Sequence, residues 1–458
     1  MQWLKKIRWK IQLANWDEMY GETFCVYPWL SMMVNTSGSI DFCCIAKPSV
    51  LRGDDGKILD ISSTTLKEAW NGKDMRDIRM AMMQGERVES CKHCYLQEEV
   101  GKKSFRQMHN DEWERRIGEQ AIHDRIEASY ENDFALEEHD PLYLDLRLGN
   151  LCNLSCRMCN SFNSSTIAKE DEKLTDVEED YTRIQEKTYG KRPDWINSTE
   201  YREKFDADQF WGDIYDWLPG LRKVYMTGGE PTMIKNNMEF LNMAADNGHS
   251  EHINVFMNTN CTNANKKFID SISKFESVDL NASLDGVGVV NEFIRGTKSW
   301  DIILRNYRSL LDLPNVNSNI TPVLQIYNLN RIHEILYLAN DLTNEYYSDS
   351  DWKHIGVDVL INTHPHYLDV RNLPIEMREA AKNRLIEFKE QCNILYEKSW
   401  LIKNSVDGIV GYLEQEQLDN WHENLTDFVQ MTETWDRQRN TNFSVVDDEL
   451  YQNIRKLL

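Results

Sequence analysis

Three cysteines, Cys152, Cys156 and Cys159, stand in the pattern Cys-x3-Cys-x2-Cys directly after a short apolar run at 142–148. Thiolates are soft ligands, and three on one short loop hold three irons of a cubic 4Fe–4S cluster, leaving the fourth iron open to a small molecule. A closed zinc site would need a fourth ligand. The other cysteines fall into an amino-terminal group (Cys25, Cys43, Cys44, Cys91, Cys94) and two strays, Cys261 and Cys392. Two clusters and two strays do not make a disulfide scaffold.

The rest of the composition narrows the class. A chain of 458 residues, 41% apolar and 28% charged, has enough core for two or three domains. No apolar run approaches the ~20 residues that cross a bilayer. The net charge of −23 is spread along the chain and repels phosphate backbones, so general nucleic-acid binding is not expected. The start of the chain is basic but has no apolar core of a secretion signal, which implies a reducing, cytoplasmic setting for the cysteines. Trp3, Leu4, Ile7 and Ile11 share one helical stripe, expected to dock on the protein itself.

Periodicity divides the chain at 110, 140 and 374. Within 1–110, apolar stretches at 26–34 and 40–45 flank Asn-Thr-Ser-Gly and predict a small hairpin. Helices are expected at 63–71, with Ser63 as cap, and at 73–84, ending at Gly85. Residues 111–140 read as a helical connector. From 141 to 374, strands are predicted at 142–148, 223–227, 253–258, 278–284, 320–326 and 355–361. Helices are predicted between them at 164–170, 234–247, 264–275, 300–311 and 330–342. This is an α/β pattern of parallel strands, either an open sheet or a partial barrel. The 171–210 stretch interrupts the rhythm as a lid, a binding element or a disordered insertion. Residues 375–458 read as helices without a chemical motif.

The cysteine loop resembles the signature of radical S-adenosylmethionine (SAM) enzymes. Val224-Tyr-Met-Thr-Gly228-Gly229-Glu230-Pro231, ending the next predicted strand, is similar to the Gly-Gly-Glu motif of that family. The resemblance implies a partial (β/α)6 barrel of the radical SAM type and a SAM-binding 4Fe–4S cluster on Cys152, Cys156 and Cys159. It also implies a 5′-deoxyadenosyl radical as the product of reductive SAM cleavage, and a one-electron donor such as a flavodoxin or ferredoxin. Gly228, Gly229 and Glu230 then face the SAM ammonium. Asn258, Ser283 and Asp285, at later strand ends, and Arg295, as a partner for the SAM carboxylate, complete the expected cofactor site. Many relatives carry an aromatic residue before the third cysteine, where this chain has Met158.

Cys25, Cys43, Cys91 and Cys94 make a four-thiolate set that suits zinc or an iron–sulfur cluster equally by spacing. Cys25-x12-Gly38-x4-Cys43, the Leu66-Lys-Glu-Ala-Trp70-Asn71 segment and Cys91-x2-Cys94 resemble the SPASM auxiliary-cluster module in its shortened twitch form, here placed ahead of the barrel. That likeness implies one auxiliary 4Fe–4S cluster. Cys44 is expected as a packing residue or spare ligand, His93 at the surface, and Cys261 and Cys392 as buried thiols. Tyr143, Asp145 and Arg147 alternate along the first strand, the latter two expected as an interior ion pair. The leading expectation is a radical SAM enzyme acting on a substrate such as a peptide or protein. Its alternatives are the same enzyme with structural zinc in the amino-terminal module, and an inactive metal-stabilised scaffold. Substrate selection is expected from 190–217 and the carboxyl-terminal helices.

Overall fold

The computed structural model describes residues 16–47, 51–175, 177–350 and 353–458, so the stripe expected from Trp3 to Ile11 lies outside the described residues. The chain divides into two compact units. One comprises Met1–Gly149, Thr199–Gly228 and Glu239–Val255, the other Asn150–Ser198, Gly229–Met238 and Phe256–Leu458.

The first unit carries β1 (Ser31–Val34), β2 (Ile40–Asp41), β3 (Tyr143–Leu146) and β4 (Lys223–Met226), in the spatial order β2-β1-β3-β4. The expected hairpin is present but short, with Met33 opposite Asp41. Its first arm begins as a helical turn, Tyr27–Leu30, because Pro28 near the start presets a helical φ. β1 also pairs in parallel with β3 (Ser31 opposite Tyr143), and β3 with β4 (Tyr143 opposite Lys223). All four residues of β1 are buried, so no alternation betrays it in sequence.

The first expected helix forms as Leu66–Trp70, and its cap is Thr65, two residues past Ser63. Thr65 accepts from Glu68 N while the Glu68 carboxylate accepts from Thr65 N, a closed capping box. The connector is two helices, Phe105–Ile117 and Glu119–Glu131, separated by Gly118 at φ +81°. Arg79 is fully buried between these elements. Its guanidinium donates to Pro28 O, Phe134 O and Trp70 O at 2.8–3.0 Å and lies 4.4 Å over the Trp70 ring.

In the second unit the strands β5 (Asn254–Thr259, entering from the first), β6 (Ser277–Ala282), β7 (Val316–Ile320) and β9 (Gly356–Val357) lie in that order. β6 and β7 are parallel, as are β7 and β9. A separate parallel pair joins β8 (Val323–Leu324) to β10 (Leu360–Ile361). The architecture is therefore α/β with mostly parallel strands and a helical carboxyl-terminal region. The fifth strand lies earlier than the 320–326 expectation. It reads Val-Asn-Ser-Asn-Ile, with Val316, Ser318 and Ile320 inward, and its asparagines hide it from a propensity argument. The expected strand 355–361 is interrupted at Asp358 and serves two sheets.

The 171–210 stretch is largely helical. Glu179–Tyr189 lies along the Trp421–Arg439 helix, held by Arg183–Asp427 (3.0 Å), Lys187–Asp427 (2.8 Å) and Lys187–Glu423 (2.6 Å). Among the described residues, no helix is long and apolar enough to cross a membrane.

Two outcomes follow. Arg79→Met strands three buried carbonyls and should lower stability by about 3 kcal/mol in urea unfolding. Glu112 pairs with Lys223 Nζ at 2.5 Å and His109 Nδ1 at 3.5 Å. Burial raises its pKa, but the His109 hydrogen bond and the Lys223 charge outweigh that and bring it down to about 2. A depressed carboxylate stabilises the fold above its unfolded pKa, and that stability is lost as pH falls toward 2. Glu112→Gln should therefore flatten the loss of unfolding free energy between about pH 4.5 and 2, measured by denaturant titration at each pH.

Candidate metal centre

Gly149, at φ +103°, turns the chain out of β3 and into the loop that carries Cys152, Cys156 and Cys159. The loop is tied to itself and to the helix that follows. Asn150 Nδ2 donates to Ser161 O (2.9 Å), Thr166 Oγ1 to Cys152 O (2.7 Å) and Ser164 Oγ to Leu154 O (2.9 Å). Cys159 N–H donates to Cys156 O at 3.0 Å, folding the last two cysteines into a turn. Cys156 raises the pKa of Cys152, and both raise that of Cys159. Burial dominates, pushing Cys152 up to about 12 and Cys159 higher still. Among the described residues, no three His, Cys, Asp or Glu side chains converge as a finished metal cage. The three thiols nevertheless fit a cluster held from one side. They share one loop, they are partly buried, and Arg295 places positive charge beside them, its Nη1 4.0 Å from Cys156 Sγ.

The Gly-Gly-Glu turn packs against this loop. A Cβ on Gly229 would stand 2.2 Å from Leu151 O, and one on Gly228, at φ +113°, would stand 2.8 Å from Gly149 O. The glycines thus admit the loop's own backbone, and Glu230 N–H donates to Leu151 O at 2.8 Å. The Glu230 carboxylate is buried. Its Oε1 accepts from Thr232 N, Thr232 Oγ1 and Thr259 Oγ1, and Oε2 from Asn260 N at 2.7 Å. It ties the turn to the end of β5 and keeps acceptor capacity on Oε2.

Asn258 is half-buried near the end of β5, and Ser283 is half-buried just past β6, its N–H donating to Thr259 O. Asp285 is fully buried and paired with Arg295, Nε to Oδ2 2.7 Å, while its Oδ1 accepts from Val323 N–H. Arg295 thus meets Asp285 on one side and Cys156 on the other.

Arg157, between the second and third cysteines, drew no notice in the sequence. It is fully buried, stacks 3.7 Å over Phe293, and donates to Phe293 O, Asp436 Oδ1 (2.5 Å) and Thr441 Oγ1 (3.0 Å). Its acidic partner lies 279 residues away, beyond any local pattern.

In the first unit, Cys91 and Cys94 raise the pKa of Cys25, Cys94 raises that of Cys91, and Cys25 raises that of Cys43. Burial pushes Cys91 up to about 12. Cys44 hydrogen-bonds Cys43 and lies near Asp145 and Arg147. Asp145 and Arg147 form the expected pair, at 2.9 and 3.0 Å. His93 is exposed, and Cys261 is buried. Cys392 departs from expectation: it is half-exposed, because it sits at the break between two surface helices, Ile375–Gln391 and Asn393–Lys398.

Comparison with known proteins gives two family matches. Residues 146–339 match the Radical SAM superfamily and residues 25–95 the SPASM iron-sulfur cluster-binding domain. The chain carries a SPASM-type domain match followed by a radical SAM domain match. It is 28% identical over 130 residues to the mycofactocin maturase MftC of Mycolicibacterium smegmatis, covering 28% of this chain and 32% of that protein. It is 29% identical over 131 residues to MftC of Mycobacterium tuberculosis, covering 28% and 32%. The chain thus spans about a third of the length of the curated relatives it matches. Solved structures that resemble it include Streptococcus suis SuiB bound to S-adenosylmethionine (TM-score 0.34, 15% identity, 69% of this chain and 63% of that one). Another is anSMEcpe with bound AdoMet (TM-score 0.33, 16% identity, 55% and 61%).

The glycine contacts make a paired test. Gly229→Ala drives a methyl into Leu151 O and should cost about 3 kcal/mol. Gly212→Ala, in the Asp208–Trp217 helix, meets nothing within 4 Å and should stabilise by about 0.5–1 kcal/mol in the same urea unfolding series.

Proposed function

We propose that this protein binds a 4Fe–4S cluster through Cys152, Cys156 and Cys159 and SAM at the cluster's open iron, and acts on a peptide or protein substrate. When bound, that pair supplies an electron to the SAM sulfur–carbon bond and a 5′-deoxyadenosyl radical that removes hydrogen from substrate. The observation that carries the reading is the backbone lock between the loop that carries the three cysteines and the Gly228–Glu230 turn that carries the buried carboxylate.

The chain's own residues have separable tasks. Glu230, with Oε2 still able to accept, and the main chain of Gly228 and Gly229 receive the SAM ammonium. Arg295, kept charged by Asp285 and the neighbouring thiols, offers its guanidinium to the carboxylate. Asn258 and Ser283 line the strand ends and orient the remaining polar groups of SAM, while Asp285 acts through Arg295 by holding its guanidinium in place. Burial around Cys156 and Cys159 keeps water from a reactive species. In the amino-terminal domain, Cys25, Cys43, Cys91 and Cys94 hold a single auxiliary 4Fe–4S cluster, with Cys44 left to the Asp145–Arg147 side. A one-electron donor such as a flavodoxin or ferredoxin is the partner this chemistry requires, in a reducing, cytoplasmic setting. That the curated relatives are named maturases supports a peptide or protein as the substrate.

Metal analysis after oxygen-free reconstitution tests the assignment. About eight iron and eight sulfide per chain are expected, falling to about four when Cys152, Cys156 and Cys159 are all changed to Ala. SAM cleavage to 5′-deoxyadenosine under dithionite should vanish with that variant. Four iron and one zinc in the wild type would instead make the amino-terminal site structural. Wild-type protein that keeps no iron would overturn the proposal.

A further inference from the structure

β10 is paired on one side only. Leu360 N–H donates to Pro322 O at 2.9 Å and Asn362 N–H to Leu324 O at 3.2 Å. Main-chain groups alternate sides along a strand, so those of Val359, Ile361 and Thr363 face the other edge. Ser405, on the Trp400–Leu413 helix, covers part of that edge. Its Oγ accepts from Val359 N–H (3.0 Å) and donates to Val357 O (2.9 Å). Beyond Val359 the cover ends, and the N–H and C=O of Ile361 and the N–H of Thr363 have no partner among the described residues.

This open edge is also apolar. Leu360 is 52% and Ile361 37% exposed, where proteins ordinarily blunt an edge with charge or proline. Asn362, beside them, is only 6% exposed, yet its Nδ2 has no acceptor. The residues just past the edge are linked to the cysteine loop through Tyr189. His364 packs edge-on against Tyr189 at 5.2 Å, and Tyr189 O–H donates to Met158 O at 3.5 Å, next to Cys159. Exposed Leu151 and Met233 lie on the segments that carry the cysteines and Glu230.

We propose that an extended, apolar segment of the peptide substrate docks as an added strand on the Ile361 edge of β10. This rests on the peptide-modifying reading above. The added backbone pairs with Ile361 N–H and C=O, which fixes direction and register, while side chains on its two faces cover Leu360 on one side and Ile361 on the other. The chain beyond the docked segment then passes His364 and Tyr189 toward Cys159.

Strand addition has a parity that simple hydrophobic capture lacks. The probe is a fluorescein-labelled, strand-forming peptide, Lys-Thr-Val-Thr-Val-Thr-Lys, titrated by anisotropy into the reconstituted full chain. N-methylating every second residue in one parity should abolish binding, and in the other parity leave it within about twofold. Ile361→Pro removes the outward N–H without touching the β8 ladder, and should weaken binding at least tenfold, with iron content and far-UV circular dichroism reporting that the variant is folded. Equal loss from both N-methyl parities, unchanged binding by a folded Ile361→Pro, or wild-type binding weaker than about 1 mM would overturn the proposal. So would a probe-free dimer that dissociates on Ile361→Pro, which would assign the edge to a second copy. Release of 5′-deoxyadenosine by wild-type protein without peptide tests the radical reading separately, so the two failures are distinguishable.

Discussion

The candidate site depends on one backbone contact, the seating of the Gly228–Glu230 turn on the cysteine loop at residues 149–151. It is built from groups that cannot adjust. Two carbonyl oxygens occupy the space that any Cβ would need, and the Glu230 N–H donates to one of them. Glu230 then reaches across to Thr259 and Asn260, so the end of a second strand is fixed by the same residue. A cluster ligated by only three thiolates has no fourth protein bond to define its orientation. The loop itself must supply that definition, and here it comes from the neighbouring strand end. This accounts for a Gly-Gly pair in a place where one glycine would suffice for a turn.

Charge around the loop is balanced in pairs at some energetic cost. Asp285 with Arg295, and Arg157 with Asp436, are ion pairs with at least one fully buried partner. Such pairs contribute little net stability relative to apolar packing, whereas losing one partner costs about 3–5 kcal/mol. Their value is positional. Arg157 fastens the turn between Cys156 and Cys159 to the carboxyl-terminal Trp421–Arg439 helix, and Arg295 brings a guanidinium 4.0 Å from a loop thiol, Cys156 Sγ. The thiols themselves are held toward their neutral forms by burial, and the positive charges of Arg295 and, at Cys156, Arg439 favour the thiolate forms.

How much of this was legible in sequence follows from the range of each interaction. The cysteine loop and the Gly-Gly-Glu turn are local patterns, and both were readable because each motif lies within a few residues. Strands β3, β4, β5 and β6 were found because their apolar residues cluster. β7 was displaced because Asn317 and Asn319 mask a buried alternation, and β1 merged into a hairpin because its parallel pairing with β3 spans more than a hundred residues. Thr65 was passed over for Ser63 since both are good caps and only the reciprocal bond with Glu68 decides between them. Arg157 was invisible for the same reason as β1: its partners Asp436 and Thr441 are adjacent only in the folded chain.

The helices outside the strand pattern are therefore part of the site's support. Glu179–Tyr189 lies on Trp421–Arg439 through Arg183, Lys187 and Asp427, and Arg439 pairs with Glu170 at 2.6 Å in the helix that follows the cysteine loop. The same carboxyl-terminal helix receives Arg157 from within the loop. Three separate segments thus hold one helix in register, and that helix in turn is bonded to the cysteine turn through Arg157. A loop tied both to the Gly-Gly-Glu turn and to this helix has less entropy left to lose on binding a ligand, which is the physical advantage of such bracing for so short a segment.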